Sequence, residues 1–291
     1  MRSVAGTFLA ILSASVVMHA QTGRELATTS ATAQATKSSV DLSGVWMSNV
    51  NLATFWETTE VPWTAEKLAQ YSVNVPPPRR QREGTVPTGS PQAANVPMTP
   101  WAEAIYKYNG TPEGAGEGRR NEVDSYSHCS PPAVPRNWTI RRPYEIIQDS
   151  RRVLILFEGD HWVRQIWTDG RGHPRNPAPT WGGYSIGKWV GDTLIVETIG
   201  FNDKAWVDIA GHPRSEALRL TEHIRRVDHD HLVIDITFED PKAFTRPWRG
   251  TVLAQFRPGW EIGEVIPCED VILGKPIPKI SGMPVMLRPK R

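Results

Sequence analysis

Tyr144-Glu145-Ile146-Ile147-Gln148-Asp149-Ser150-Arg151-Arg152-Val153-Leu154-Ile155-Leu156-Phe157-Glu158-Gly159-Asp160-His161-Trp162-Val163-Arg164-Gln165-Ile166-Trp167-Thr168 is the stretch that decides the fold. It holds three runs rich in β-branched and aromatic residues, at 144–148, 152–158 and 161–168. Asp149-Ser150 and Gly159-Asp160 separate them, and both pairs are turn chemistry. Successive side chains in a strand point to opposite faces, so these runs read as antiparallel strands joined by short hairpins.

The pattern continues toward the C-terminus. Runs at 184–189 and 193–199 flank Gly191-Asp192, runs at 218–227 and 232–238 flank Asp228-His229-Asp230, and 250–256 supplies one more. With an early strand at Leu42-Ser43-Gly44-Val45-Trp46, the tally is about nine strands joined mostly as consecutive hairpins. The expected fold is mostly β, an up-and-down, lipocalin-like β-barrel, because closing the meander removes exposed edges and leaves room for a small ligand or a packed core. A β-sandwich is the alternative, since period and turn length suit both.

Upstream the chain changes character. Residues 41–143 hold the first strand and then an irregular, Pro-rich half with Pro76-Pro77-Pro78, Pro87, Pro91, Pro97 and Pro100. Proline cannot donate to a β ladder, so this half is expected to wrap a core made elsewhere. Two short helices interrupt it: one at Thr64-Ala65-Glu66-Lys67-Leu68, and one opening at Pro100 with Thr99 as N-cap. Residues 144–258 form the meander and 259–291 a C-terminal tail, so 41–291 is read as a single β-barrel domain.

The N-terminus reads as a targeting signal. Arg2 gives a positive start, Val4 to Val17 is almost uninterruptedly apolar or small, and Met18-His19-Ala20 offers a cleavage site, so 1–20 is expected to be a removed signal peptide. A Thr/Ser/Ala-rich flexible linker follows at 21–40. No later window is apolar enough for a spanning helix, so the expected location is periplasmic or secreted with no membrane span. The 33 basic and 31 acidic side chains give a net charge of only +2, with no sustained basic run, which argues against a nucleic-acid groove. The two cysteines, Cys129 and Cys268, lack CxxC neighbours, and in an exported chain they are expected to pair. Closing a loop of about 140 residues contributes about 4 kcal/mol in the chain-entropy model.

Candidate chemistry lies in the two longest interruptions of the meander. One runs from Asp169-Gly170-Arg171-Gly172-His173-Pro174 to Trp181; the other holds Gly200-Phe201-Asn202-Asp203, Trp206, Asp208 and Gly211-His212-Pro213-Arg214-Ser215. Loops at a barrel mouth are where binding groups usually sit. His173 and His212, with Asp208 to orient one of them, are the candidate acid-base groups. Trp181, Asn202, Trp206 and Trp248 are candidate ligand contacts, as are Arg164 and Glu222, which alternation turns into the barrel as a facing pair. Twelve tryptophans suit either core packing or stacking on a ring-bearing ligand. Gly183-Tyr184-Ser185-Ile186-Gly187 satisfies G-x-S-x-G, but a strand follows where a nucleophile elbow needs a helix. Asp228-His229-Asp230-His231 reads as a solvated turn, and no metal or cofactor motif is found.

Leu42-Ser43-Gly44-Val45-Trp46, Thr99-Pro100-Trp101-Ala102-Glu103-Ala104, Trp189-Val190-Gly191-Asp192-Thr193-Leu194-Ile195-Val196-Glu197-Thr198 with Gly200-Phe201-Asn202-Asp203, and Asp240-Pro241 through Pro247-Trp248 carry a resemblance to an uncharacterised family of exported bacterial proteins. The resemblance spans nearly all of the chain after the signal. It implies export and a bacterial source, and it carries no substrate or catalytic residue with it. The first expected function is binding of a small, partly apolar ligand. The alternative is a cofactor-free isomerase, lyase or hydrolase with a His/Asp site at the barrel mouth, and a third reading is an assembly protein that uses the Pro-rich half. The sequence leaves enzyme status and oligomeric state open.

Overall fold

The computed structural model describes residues 40–48, 96–109, 124, 126, 130–140, 142–263, 279–280 and 283–284. The expected signal peptide, all of the expected linker but Val40, the expected helix at Thr64 to Leu68 and both cysteines of the expected disulfide lie outside these residues. Nine strands close into one barrel in chain order. They are β1 (Gly44–Ser48), β2 (Pro143–Gln148), β3 (Arg152–Phe157), β4 (Trp162–Trp167), β5 (Tyr184–Val190), β6 (Thr193–Ile199), β7 (Arg219–Arg226), β8 (His231–Glu239) and β9 (Trp248–Phe256). β1 closes the ring by pairing antiparallel with β9, Trp46 opposite Phe256. A two-stranded ribbon, β10 (Lys279–Ile280) with β11 (Met283–Pro284), lies apart from the barrel sheet.

A closed ring with an odd number of strands cannot be antiparallel at every seam. The parallel seam falls between β4 and β5, where Ile166 faces Ser185 and Trp167 faces Ile186. A parallel step must carry the chain back along the full strand length, which takes a dozen or more residues. Among the described residues, the 168–183 connection is therefore the link that runs along the barrel instead of turning at its end. The up-and-down order holds at every other seam.

The two ends of the barrel differ. The turns at Asp149, Gly191 and Asp228 are tight and share one end. The other end receives the 130–142 segment and the 200–218 and 240–247 connections. Helix α1 (Pro100–Asn109) docks at this elaborated end. Thr99 N–H donates to the Ala243 carbonyl at 2.9 Å, and Thr245 N–H donates to the Pro97 carbonyl at 2.7 Å. Thr99 caps the helix as its sequence suggests, with Oγ1 accepting from Ala102 N–H at 3.3 Å.

Side chains fill the interior. Alternation is plain in β3 and β6, whose buried positions fall on every second residue. Trp46, Tyr144, Ile155, Ile166, Leu194, Val196, Leu220 and Phe238 expose none of their surface. Trp138, carried on a 3-10 turn at Arg136–Thr139, enters from the elaborated end and packs edge-on against Tyr144 and Phe157 with centroids 5.2 and 5.3 Å away. Trp248 stacks on Phe238 at 4.0 Å with the planes 9° apart. A barrel of this strand number is just wide enough to be packed by its own side chains, and the space a lipocalin-like barrel keeps for a ligand is here occupied by aromatic rings. Trp248 is thus core, 1% exposed, rather than a wall open to a ligand.

Candidate functional site

One polar cluster sits inside this apolar core. Arg164 on β4 and Glu222 on β7 are 3% and 0% exposed and form a two-armed ion pair. Arg164 Nη1 donates to Glu222 Oε1 at 2.9 Å and Nη2 donates to Oε2. Trp138 Nε1 donates to the same Oε1 at 2.7 Å. On the other side of the guanidinium, Ser185 Oγ accepts from Arg164 at 3.2 to 3.3 Å and Thr198 Oγ1 at 3.0 Å, and the two hydroxyls lie 2.9 Å apart. Alternation alone turned Arg164 and Glu222 inward together, and Trp138, Ser185 and Thr198 complete the hydrogen bonding of the pair. Ser185 is spoken for in this cluster, on a strand, which leaves the G-x-S-x-G pattern without a free nucleophile.

The elaborated end holds a second set of buried polar groups. The 200–218 connection turns sharply at Asp208, whose Oδ1 accepts from Ala210 N–H at 3.0 Å and His212 N–H at 3.2 Å. Gly211 takes φ +94°, and Val207 N–H closes the turn on the His212 carbonyl at 2.9 Å. This brings His212 Nδ1 to 2.7 Å from Asp208 Oδ2, with both residues fully buried. Asn109 Nδ2 at the end of α1 donates to the Gly211 carbonyl at 2.8 Å, and Tyr106 lies flat on the imidazole, 4.4 Å away and 6° from parallel. Burial, and then the Asp208 carboxylate, push the Tyr106 phenol above its ordinary pKa. His212 Nε2 has no hydrogen-bond partner and no exposed surface. An imidazole oriented by a carboxylate at one nitrogen, with the other uncommitted, is the arrangement general acid-base chemistry needs.

Three further groups, none given a role by the sequence, hold the loops around this turn. Arg214 donates from Nε to the Asn202 carbonyl at 3.0 Å, from Nη1 to the Val134 carbonyl at 3.1 Å and from Nη2 to the Trp181 carbonyl at 2.8 Å. Nη2 also reaches Asn202 Oδ1 at 3.2 Å, and the guanidinium lies 4.9 Å over the Phe201 ring. One side chain so ties three loops. Burial drives its pKa down to about 9, against Asp203 and Asp240, so it stays charged at neutral pH. Arg136 forms a two-armed pair with Asp124 at 2.6 and 2.7 Å between the Tyr126 and Trp206 rings. Asp240 accepts from Ser215 N–H at 2.6 Å and Oγ at 2.7 Å. A buried charge leaves no local periodicity, so the only signal was polar residues crowded into loops between strands.

The predicted site residues divide into separate places. Asp208 and His212 meet, Asn202 and Trp181 are tied to the same connection by Arg214, and Trp206 bridges to Pro213 with Arg136 over its ring. His173 is elsewhere, on the outer wall, with Nε2 3.8 Å from Glu197 and its ring edge-on to Tyr184 at 6.1 Å. Burial, opposed by Glu197, lowers its pKa. The 168–183 connection carries His173 there as it returns along the barrel, anchored by Arg171 lying 3.5 Å over Trp167 and hydrogen-bonded to Asp169 at 2.6 and 2.8 Å.

Where that connection passes the elaborated end it leaves a cleft of about 370 Å³. Arg175, Asn176, Pro177 and Pro179 form one side, Ile199 to Phe201 the floor, and Glu216 to Arg219 the other side. Gly200, at φ +76°, lets Pro177 lie on the floor, since a Cβ there would come 2.9 Å from the proline ring. Among the described residues, no group of three or more His, Cys, Asp or Glu side chains is placed to hold a metal ion. No family model, curated protein or solved structure matches the chain.

Proposed function

We propose that this chain is an exported β-barrel protein, working in the periplasm or outside the cell, that binds a small, partly apolar ligand in the cleft beside its elaborated end. The observation that carries the reading is the cleft itself. Its volume lies at the lower end of the small-molecule range, its floor is apolar (Ile199, Phe201, Leu218) and a few polar side chains ring it. The filled barrel leaves the loops, not the interior, as the place for a ligand. The N-terminal signal-like sequence supports export. The test is an amide NMR titration of the mature protein with small aromatic amphiphiles. Shifts concentrated at Ile199, Gly200 and Leu218 are expected; shifts spread evenly over the barrel, or none, would sink the reading.

The buried Asp208–His212 pair favours a second reading, a cofactor-free acid-base enzyme. Asp208 would fix the tautomer while His212 Nε2 exchanges the proton, and a substrate would reach that nitrogen only when the packing that buries it opens. His212→Gln should abolish turnover of any substrate found while leaving the circular dichroism spectrum unchanged. Full turnover in that variant rules the role out.

A further inference from the structure

Fourteen arginines lie among the described residues, and nearly all of them are engaged. Arg136, Arg164, Arg171 and Arg214 are held in the contacts described above. Arg142, Arg151, Arg152 and Arg225 sit within 4.0 Å of carboxylates. Arg226, Arg246 and Arg257 donate to carbonyl or amide oxygens. Among the described residues, the guanidinium groups of Arg175, Arg219 and Arg249 make no hydrogen bond or ion pair, and two of these three line the same cleft. Below them the floor is apolar, with Phe201 and Leu218 0% and 1% exposed. One carboxylate, Glu216, shares the rim and is likewise unpaired.

From this we infer that the cleft selects an amphiphilic monoanion, a small molecule with one carboxylate-type headgroup on an apolar body. The inference rests on the reading of the cleft as a binding site and adds the class of ligand. A guanidinium presents a planar fork of donors that matches a carboxylate, and it is less strongly hydrated than an ammonium, so it gives up water to an anion readily. The apolar body lies along Ile199 and Pro177, which are half-buried, while the headgroup reaches the rim. Two cations against one carboxylate leave a single net positive charge there, which suits a monoanion better than a dianion. Arg175 comes from the β4–β5 connection and Arg219 from the start of β7. The headgroup is therefore gripped from two sides only because the parallel seam brings that connection past this end.

The test compares 4-phenylbutyrate with the neutral 4-phenylbutanol, which shares its apolar body, by NMR titration of the full mature chain at low salt. The acid is expected to bind about tenfold tighter or more, and its advantage should shrink as sodium chloride screens the rim. Arg175→Gln and Arg219→Gln should each weaken the acid by about threefold to tenfold, the lower end reflecting solvent exposure, and leave the alcohol unchanged. Arg249→Gln, the third unpaired arginine, should change neither. Ala217→Trp, which fills the cleft from an exposed position, should abolish both. Equal affinity for acid and alcohol, or an acid preference that survives both arginine variants, overturns the headgroup inference and leaves cleft binding standing. No binding of either probe at about 10 mM, or binding that survives Ala217→Trp, removes the cleft reading and this inference with it.

Discussion

Replacing Glu222 by Gln keeps the shape of the buried cluster and removes its negative charge. Glutamine can place its carbonyl oxygen where Oε1 now accepts from Trp138 at 2.7 Å and from Arg164 Nη1 at 2.9 Å. Its amide nitrogen then falls where Oε2 accepts from Arg164 Nη2, setting donor against donor. The Arg164 guanidinium, 3% exposed, is left without a counter-charge. Removing one partner of a buried pair costs about 3–5 kcal/mol, a large share of the roughly 5–15 kcal/mol that holds a domain folded. With a urea m-value of about 2–3 kcal/mol/M, the midpoint should fall by about 1–2.5 M at unchanged m.

The double variant Arg164→Met with Glu222→Leu separates charge from packing. It removes both ions together, and Ser185 and Thr198 keep their mutual contact at 2.9 Å. Only Trp138 Nε1 is orphaned, at about 1–3 kcal/mol. The double variant should therefore be more stable than Glu222→Gln. Urea denaturation followed by tryptophan fluorescence and far-UV circular dichroism reads both. A Glu222→Gln loss below about 1 kcal/mol, or a double variant less stable than the single one, would refute the claim that an unpaired charge dominates the cost.

Gly183→Ala should destabilise by about 2–4 kcal/mol in thermal unfolding, combining a left-handed backbone at φ +66° with a Cβ only 2.8 Å from the Ile199 carbonyl. Gly191→Ala, at φ +61° in open space, should cost only the backbone part, about 1–2 kcal/mol, and equal losses at both sites would show the close approach to be unimportant. Asp169 is held down to about 2, first by its hydrogen bonds from the Arg171 side chain. A depressed carboxyl lends stability that is complete above pH ~4 and fades as pH falls toward 2, so Asp169 should titrate well below a free aspartate by NMR and return to the ordinary range in Arg171→Ala. No change in that variant would remove Arg171 as the cause.

Strand number, strand positions and the capped helix were legible because each is a local property. Period two shows within five or six residues, turn chemistry within two or three, and Thr99 lies within one turn of the Ala102 N–H it caps. The inward turn of Arg164 and Glu222 follows from the same alternation, one strand at a time. What the chain could not display is anything settled by closure. The parallel seam follows from an odd strand count in a ring, and that requirement belongs to no single segment. It sends the 168–183 connection along the wall, parts His173 from His212, and builds the cleft from stretches that are neighbours only in space. The packed interior depends on Trp138 arriving from outside the meander to bond Glu222, across 84 residues of chain. Arg214 could be recognised only once three loops had converged on it, because the carbonyls it satisfies lie 12, 33 and 80 residues away. Backbone periodicity is written residue by residue, whereas the burial that gives a charged side chain its partners exists only after the ring has closed.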